Sequence, residues 1–320
     1  MGATPRSSSP SVLLVLHIRV VSPDDLTARL VERLACDPGV DNVVTLREAP
    51  AAARRDAIQF DVTSESANSV LRQLREFGLG RRSPIVIEMI DAAIIDPPTK
   101  PVWRVSHLGE HAPVWDLIEN RIATDASYAP SFFALLIFAG LIGACGIVTD
   151  SPILIVGAMV VGPEYSAIIS VALGIERGDL GDVRRGLLAL LLGFVVAIVV
   201  TLLFALCVRE LGYAPESYLR GIRPISDLIN SPDLFSVVVA VVAGLVGVVS
   251  VTLSRGALLG VFISVTTIPA AADIAVSVAF GRWREAGGSA LQLLLNVGLL
   301  IIVGAAGLRA QRLIWRRWTG

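Results

Sequence analysis

The chain has 320 residues, of which 54% are hydrophobic and 17% are charged, and its mean hydropathy is +0.70. This composition is typical of an integral membrane protein and excludes an ordinary soluble enzyme. The formal net charge of −1 gives no electrostatic reason to expect a nucleic-acid partner. The 3 cysteines are widely spaced and the chain has only 3 histidines, so we expect no disulfide framework, metal site or cofactor.

The first part of the chain resembles a soluble domain. Its apolar run at residues 11–20 could suggest a signal peptide, but His17 and Arg19 interrupt the run with alternating polarity, as in a strand. Strand and helix patterns then follow in the order βαββαβ, with strands at residues 13–20, 40–46, 57–62 and 85–90. The order predicts an α+β ferredoxin-like cytosolic domain at residues 11–96, preceded by a disordered N-terminus at residues 1–10. This fold suits either a docking domain or a small-ligand sensor.

Residues 97–129 are predicted to form a linker and an amphipathic helix. The proline-rich stretch at residues 96–101 is a stiff linker. Beyond it, apolar residues recur at helical spacing from Trp115 to Ala126, which fits a helix lying on the membrane surface. A helix packed on the soluble domain fits nearly as well.

Residues 130–308 are predicted to form a transmembrane domain with six segments. A span needs about 20 mostly apolar residues. Four uncharged runs meet this length, at residues 131–149, 187–208, 234–254 and 286–308. Two further runs, at residues 151–175 and 256–281, are interrupted by Gly162-Pro163 and by Ile268-Pro269. Proline removes a backbone hydrogen bond, so we expect the second and fifth helices to be broken.

The two halves of this domain are predicted to form a 3+3 inverted repeat. The interrupted segments occupy corresponding positions, and residues 170–177 resemble residues 277–284. An odd number of crossings in each half inverts one half relative to the other, as in many secondary transporters. A basic C-terminal tail follows at residues 309–320.

The arginines of the connecting segments predict the orientation. Eight of them fall on the side of the termini, which favours cytoplasmic N- and C-termini: Arg177, Arg184, Arg185, Arg255, Arg309, Arg312, Arg316 and Arg317. Five fall on the other side: Arg209, Arg220, Arg223, Arg282 and Arg284.

Polar residues within the apolar segments are candidates for a ligand- or ion-binding site. Carboxylates at membrane depth are costly and normally face a cavity or a partner, which singles out Glu164 and Asp273. Broken helix ends would add backbone groups, and the remaining candidates are small or polar neighbours: Gly162, Pro163, Ser166, Thr267, Pro269 and Asn296. Simple proline kinks, interhelical hydrogen bonds from Asn296 and satisfaction of freed carbonyls by Thr267 are the structural alternatives.

Several motifs together resemble one family. They lie at residues 148–163, with Gly-Ala-Met and Gly-Pro, and at residues 172–179, 268–274 and 288–296. In these motifs the chain is similar to the DUF389 family of bacterial hydrophobic membrane proteins, with the similarity extending over nearly the whole chain. The resemblance implies a multi-pass protein of the bacterial inner membrane, but no cofactor or catalytic residue. Glu164 departs from a common family form, which has small and apolar residues after the proline.

Two functions are compatible with these patterns. The first is a transporter or channel for a small solute or ion, with a site between two broken helices. The alternative is a membrane-anchored oligomeric sensor or scaffold whose ferredoxin-like domain binds a small ligand or partner. Enzyme activity is not expected, because the sequence has no Ser/His/Asp or Cys/His arrangement and no HExxH motif. Membrane lipids and other copies of the chain are the expected partners.

Overall fold

The computed structural model describes residues 15–47, 55–80, 83–90, 114–125, 128–221, 223–231, 233–252 and 259–318. The chain divides into two compact units, one formed by residues 1–117 with 318–320 and the other by residues 118–317. The predicted disordered N-terminus and the predicted proline-rich linker lie outside the described residues.

The first unit is built around a four-stranded sheet. Its elements are β1 (Val15–Pro23), α1 (Asp24–Ala35), β2 (Val40–Arg47), β3 (Arg55–Thr63), α2 (Ser64–Glu76) and β4 (Ile85–Ile90). All strand pairings are antiparallel and the strand order is β2-β3-β1-β4. The element order is the predicted βαββαβ, and each helix connects two strands that are not neighbours in the sheet.

One face of this sheet forms the core of the first unit. Apolar residues alternate along β1 and β3, so that buried Leu16 lies opposite Val62 and buried Ile18 lies opposite Phe60. The two helices cover this face with apolar residues, namely Leu30, Leu34, Val70, Leu71 and Leu74. The alternation seen in the sequence therefore corresponds to one buried and one more open face.

The second unit is helical. Its elements are the end of α3 (Trp115–Asp125), then α4 (Pro130–Val148), α5 (Pro152–Val161), α6 (Glu164–Arg177), α7 (Leu180–Glu210), α8 (Glu216–Leu219), α9 (Pro224–Ile229), α10 (Leu234–Thr252), α11 (Leu259–Ala279) and α12 (Trp283–Trp318). The helix α12 includes most of the predicted basic tail. The short helices α8 and α9 lie between two long apolar helices.

Among the described residues, α4, α7, α10 and α12 are each long and apolar enough to cross a membrane. The pair α5 and α6 passes the same test together, with a bend of 53° between the two helices, which gives up to five spans. The helices therefore indicate a membrane-embedded protein. A sixth crossing through α11 stays a prediction, because its apolar part at Thr267–Ala279 is shorter.

The two predicted helix breaks have different outcomes. The second segment is broken: Gly162 is extended (φ −63°, ψ 125°) and Pro163 precedes the first residue of α6. The predicted break in the fifth segment is wrong, because α11 continues through Pro269. Glycine before proline adopts an extended conformation readily. At Pro269 the preceding residue, Ile268, is buried in the helical core, and this packing maintains the helix despite the lost hydrogen bond.

Candidate functional site

The break between α5 and α6 places an acidic side chain in the interior of the second unit. Glu164 is the first residue of α6, and its exposed fraction is 0%. The first turn of a helix has amides without intrahelical partners and carries partial positive charge, so this position favours a carboxylate. The break thus provides backbone amides and an anionic group at the same place.

Thr267 of α11 contacts this carboxylate. Its hydroxyl donates a hydrogen bond to Oε1 of Glu164 at 2.7 Å, and both residues are fully buried. A buried polar group is costly unless it is hydrogen-bonded, so the pair stabilises the approach of α11 to α6. The structure thus places two of the predicted site residues, Thr267 and Glu164, in contact.

Asp273 is a second buried carboxylate and lies in a different environment. Three serine hydroxyls contact it: Ser226 donates to Oδ1 at 2.7 Å, and Ser289 and Ser277 donate to Oδ2 at 2.6 and 3.4 Å. All four residues are buried. The serines come from α9, α11 and α12, so the carboxylate joins three helices. Among the described residues, no basic nitrogen forms an ion pair with Asp273.

A row of polar side chains extends from Asp273 along α12. Ser289, Gln292 and Asn296 are spaced by three and four residues, which places them on one face of the helix. All three are buried, with exposed fractions of 0%, 7% and 0%. The Gln292 amide donates to Oδ1 of Asn296 at 3.5 Å. The row covers about 10 Å along the helix axis.

The far end of this row lies level with Glu164. The helices α6 and α12 run in the same direction, because Ala172 contacts Gly304 and, further along both helices, Glu176 lies 3.4 Å from Arg312. Glu164 precedes Ala172 by the same number of residues as Asn296 precedes Gly304. The polar row therefore connects the level of one buried carboxylate to the other.

One end of the second unit is closed by residues 216–231. Tyr218 of α8 is buried, and the guanidinium groups of Arg223 and Arg282 lie 5.5 and 4.7 Å from its ring centroid. Arg223 also forms an ion pair with Glu285. Burial raises the pKa of the Tyr218 phenol well above its usual range, so the ring stays neutral. The same segment contains Ser226, whose hydroxyl contacts Asp273.

The opposite end carries a second group of charges. Arg177 and Arg312 both pair with Glu119, at 3.3 and 2.7 Å. A cavity of about 70 Å³ lies beside them, and its lining includes Tyr128 and Arg185. Burial raises the pKa of the Tyr128 phenol. These groups surround the ends of α6 and α12 and the start of α7.

Five of the arginines used to predict the orientation fall into two groups of contacts that match the prediction. Arg177 and Arg312, predicted on the side of the termini, meet on Glu119. Arg223 and Arg282, predicted on the other side, meet at Tyr218, and Arg209 donates to a carbonyl at the end of α11 at 2.7 Å. The contacts therefore separate the two sets, while the side of the membrane that each faces stays a prediction.

The other predicted site residues have more local roles. The hydroxyl of Ser166 donates to the carbonyl of Pro163 at 3.1 Å, within the first turn of α6. Gly162 and Pro163 form the break itself, and Pro269 remains inside α11. Asn296 belongs to the polar row. The structure thus pairs Glu164 with Thr267 and keeps Asp273 apart, about 9 Å along α11.

Sequence reasoning missed the serines around Asp273 and the glutamine beside Asn296. One signal was present for α12: Ser289, Gln292 and Asn296 are polar residues at helical spacing in an apolar run. Ser277 also follows Asp273 by four residues, which places it on the same helix face. Ser226 carries no such signal, because it lies in a mixed polar connection between two spans.

The described residues contain no group of three or more His, Cys, Asp or Glu side chains that could hold a metal ion. Cys36, Cys145 and Cys207 are all unpaired. Neither a curated protein nor a solved structure matches the chain. A family model described as "Domain of unknown function (DUF389)" matches residues 159–302. This range includes the helix break, both buried carboxylates and the polar row, and it confirms the family resemblance seen in the motifs. Over residues 159–302 the chain is therefore similar to the DUF389 family.

Proposed function

We propose that the protein is a membrane transporter or channel for a small solute or ion. The observation that carries this proposal is the buried polar row that connects the level of Glu164 to Asp273 inside an apolar helical unit. Burying carboxylates, hydroxyls and amides among apolar helices is costly, and such residues typically mark a pathway for ions or solutes. In this proposal Glu164, beside the helix break, accepts a proton or a cation.

The helix contacts support the further proposal of an inverted repeat with six crossings. Residues further along α4 contact residues further along α7, and the same holds for α10 and α12. The first and third helices of each half therefore run in the same direction. Gly143 approaches Ala158 and Gly146 approaches Ile155, so α5 runs opposite to α4. Because α12 runs with α6, it is also opposite to α4. These directions support an inverted second half, as expected for alternating access around a fixed site.

We also propose a ferredoxin-like fold for the first unit, a bacterial inner-membrane location and a homo-oligomeric state. The antiparallel order β2-β3-β1-β4 supports the fold. The separation of the arginines into two groups supports a multi-pass orientation in which the larger group faces the cytoplasm. Wide apolar surfaces on α7 and α10 provide area for lipid or for another copy.

Flux measurements in proteoliposomes test the transport proposal. Proton and cation flux would be compared between the wild type, Glu164→Gln and Thr267→Val. We expect flux in the wild type, a reduction of about tenfold or more in Glu164→Gln, and a smaller reduction in Thr267→Val, because that variant keeps the carboxylate and removes only one hydrogen bond to it.

Thr201→Val is the matched control, because it also removes a buried hydroxyl from the same unit, and that hydroxyl has no hydrogen-bond partner among the described residues. It should retain wild-type flux. A folded wild-type protein that conducts none of the tested ions, or a Glu164→Gln variant with full flux, would contradict the proposed role.

A second candidate function is a membrane-anchored sensor or scaffold, and one observation favours it. On the open face of the sheet, Asp61 is contacted by His17 Nδ1 and by the Asn42 amide, each at 2.8 Å, and Glu88 lies opposite His17. This polar cluster offers charged and amide groups to a ligand. Calorimetric titration of the full chain and of Asp61→Ala with candidate metabolites would test it; binding that Asp61→Ala leaves unchanged would place the ligand elsewhere.

A further inference from the structure

We propose that Asp273 and the hydroxyls of Ser226, Ser277 and Ser289 form a binding site for a monovalent metal cation of the size of sodium. This inference deepens the transport proposal by naming the coupling ion, and it rests on that proposal only for the link to transport. Cation binding itself can be measured without flux.

The charge balance of the site calls for a cation. Asp273 has an exposed fraction of 0%, and burying a charge is costly unless the charge is paired. Among the described residues, no basic nitrogen lies within ion-pair distance of it. The arginines around Tyr218 do not supply this positive charge, because Arg223 and Arg282 contact Glu285 and the Tyr218 ring. One bound positive charge would neutralise the site.

The ligand set indicates which kind of cation. Three hydroxyl oxygens surround the two carboxylate oxygens at 2.6–3.4 Å, and all of them are hard oxygen donors. A serine hydroxyl that donates its hydrogen to a carboxylate still has lone pairs to offer to a cation. Calcium sites recruit several carboxylates. The single carboxylate here matches a single positive charge.

The hydroxyl donors suit the charged form of Asp273. Hydrogen bonds donated to a carboxylate stabilise its charged form. Both oxygens of Asp273 accept such bonds, Oδ1 from Ser226 and Oδ2 from Ser289 and Ser277. These bonds offset part of the cost of burying the charge, and a bound cation would offset the remainder.

The site is assembled from distant parts of the chain. Ser226 lies in α9, between the spans α7 and α10, whereas Ser277 and Ser289 lie in α11 and α12. Nearby, the carbonyl of Asn230 approaches Gly288 so closely that a Cβ there would lie 2.1 Å from the oxygen. The segment carrying Ser226 is thus packed directly on α12. Cation binding would therefore stabilise the docking of this segment.

Thermal unfolding of the purified full chain in detergent tests the site. The Tm would be measured at constant ionic strength in sodium, potassium, lithium, choline and calcium chlorides. We expect sodium to raise the Tm saturably above its value in choline, by about 3–6 °C when sodium is at about ten times its Kd.

Site variants should lose this sodium-dependent shift. We expect Ser289→Ala and Asp273→Asn to reduce the shift at least by half, and Ser277→Ala, whose contact is longest, to reduce it least. Thr201→Val is the control, and it should keep the full shift, because Thr201 has no hydrogen bond to Asp273. If Asp273→Asn does not fold, the serine variants and the salt series on the wild type still decide the question.

Several outcomes would overturn the inference. These are equal Tm values in sodium and choline, stabilisation by calcium alone, a shift that survives in all three site variants, or a stability that depends on pH but not on sodium. A sodium-dependent shift in a protein without flux would retain the site and reject transport. Flux without any sodium-dependent shift would retain transport and reject the site.

Discussion

Replacing Gly288 by alanine tests how residues 216–231 are held against α12. A Cβ atom at Gly288 would lie 2.1 Å from the carbonyl oxygen of Asn230 and 3.1 Å from its carbonyl carbon. Both are backbone atoms, so a side-chain rotation cannot relieve the contact. A Cβ atom at Gly287 would meet nothing within 4 Å, which makes Gly287→Ala a matched control on the same turn of the same helix.

Two free-energy contributions oppose each other in Gly288→Ala. Exchanging glycine for alanine inside a helix stabilises it by about 1 kcal/mol. Overpacking costs about 1–3 kcal/mol, and here the contact must lengthen from 2.1 Å to at least 3.0 Å. Gly287→Ala retains only the favourable contribution. We therefore expect Gly288→Ala to be less stable than Gly287→Ala by about 1–3 kcal/mol, or about 2–12 °C in Tm.

Thermal unfolding of both variants, followed by tryptophan fluorescence in the same detergent, measures the difference. Ser226 lies four residues before Asn230, so displacing this segment should also move the serine hydroxyl from Asp273 and reduce the sodium-dependent shift. Equal Tm values for the two variants would refute the close packing of Asn230 on α12. Equal values would also contradict the expected link between this packing and the position of Ser226 at Asp273.

Three other outcomes are expected. Arg223→Ala should lower the free energy of unfolding by about 1–2 kcal/mol, because the partly buried Glu285 loses the nearer of its two arginine partners. Arg220→Ala, at an exposed ion pair, should cost less than about 1 kcal/mol. Thermal unfolding of the two variants measures the difference, and equal losses would contradict the expected effect of burial. Asp179→Ala removes a side chain that accepts hydrogen bonds from two amides at the start of α7, so it should cost about 1 kcal/mol, while Asp179→Asn should keep most of the stability. In a background without the native cysteines, Gly181→Cys and Tyr213→Cys should react with an impermeant maleimide from opposite sides, since α7 is long enough to span, and same-side labelling would argue against that crossing.

The sequence predicted the element order and the position of each long helix, because periodicity and apolar length determine them locally. It did not distinguish the two proline positions. Pro163 follows glycine and ends a helix, whereas Pro269 follows Ile268, whose burial maintains the helical conformation. Packing against neighbouring helices decides this difference, and a linear pattern does not contain it.

The candidate site also combines features that the local sequence determines with features that only tertiary packing determines. Glu164 and Asp273 could be identified from the sequence because an acidic residue in an apolar run is costly anywhere in the unit. Their partners depend on which helices meet. Thr267 was predicted as a candidate, but Ser226 reaches Asp273 from a separate connection, and only the tertiary fold brings the two together.

The helix α11 connects the two carboxylate sites in one rigid element. Thr267, which contacts Glu164, and Asp273 lie on different faces of α11, because six residues correspond to about 240° around a helix beyond one full turn. Pro269 lies between them, where the helix lacks one backbone hydrogen bond. A helix that moves as a body displaces both contacts together, whereas a change in bend at Pro269 changes the distance between them. In the proposed transporter, this arrangement of polar groups on α11 would make the occupancy of one site depend on the geometry of the other, which is the physical requirement for coupling two ions or an ion and a solute.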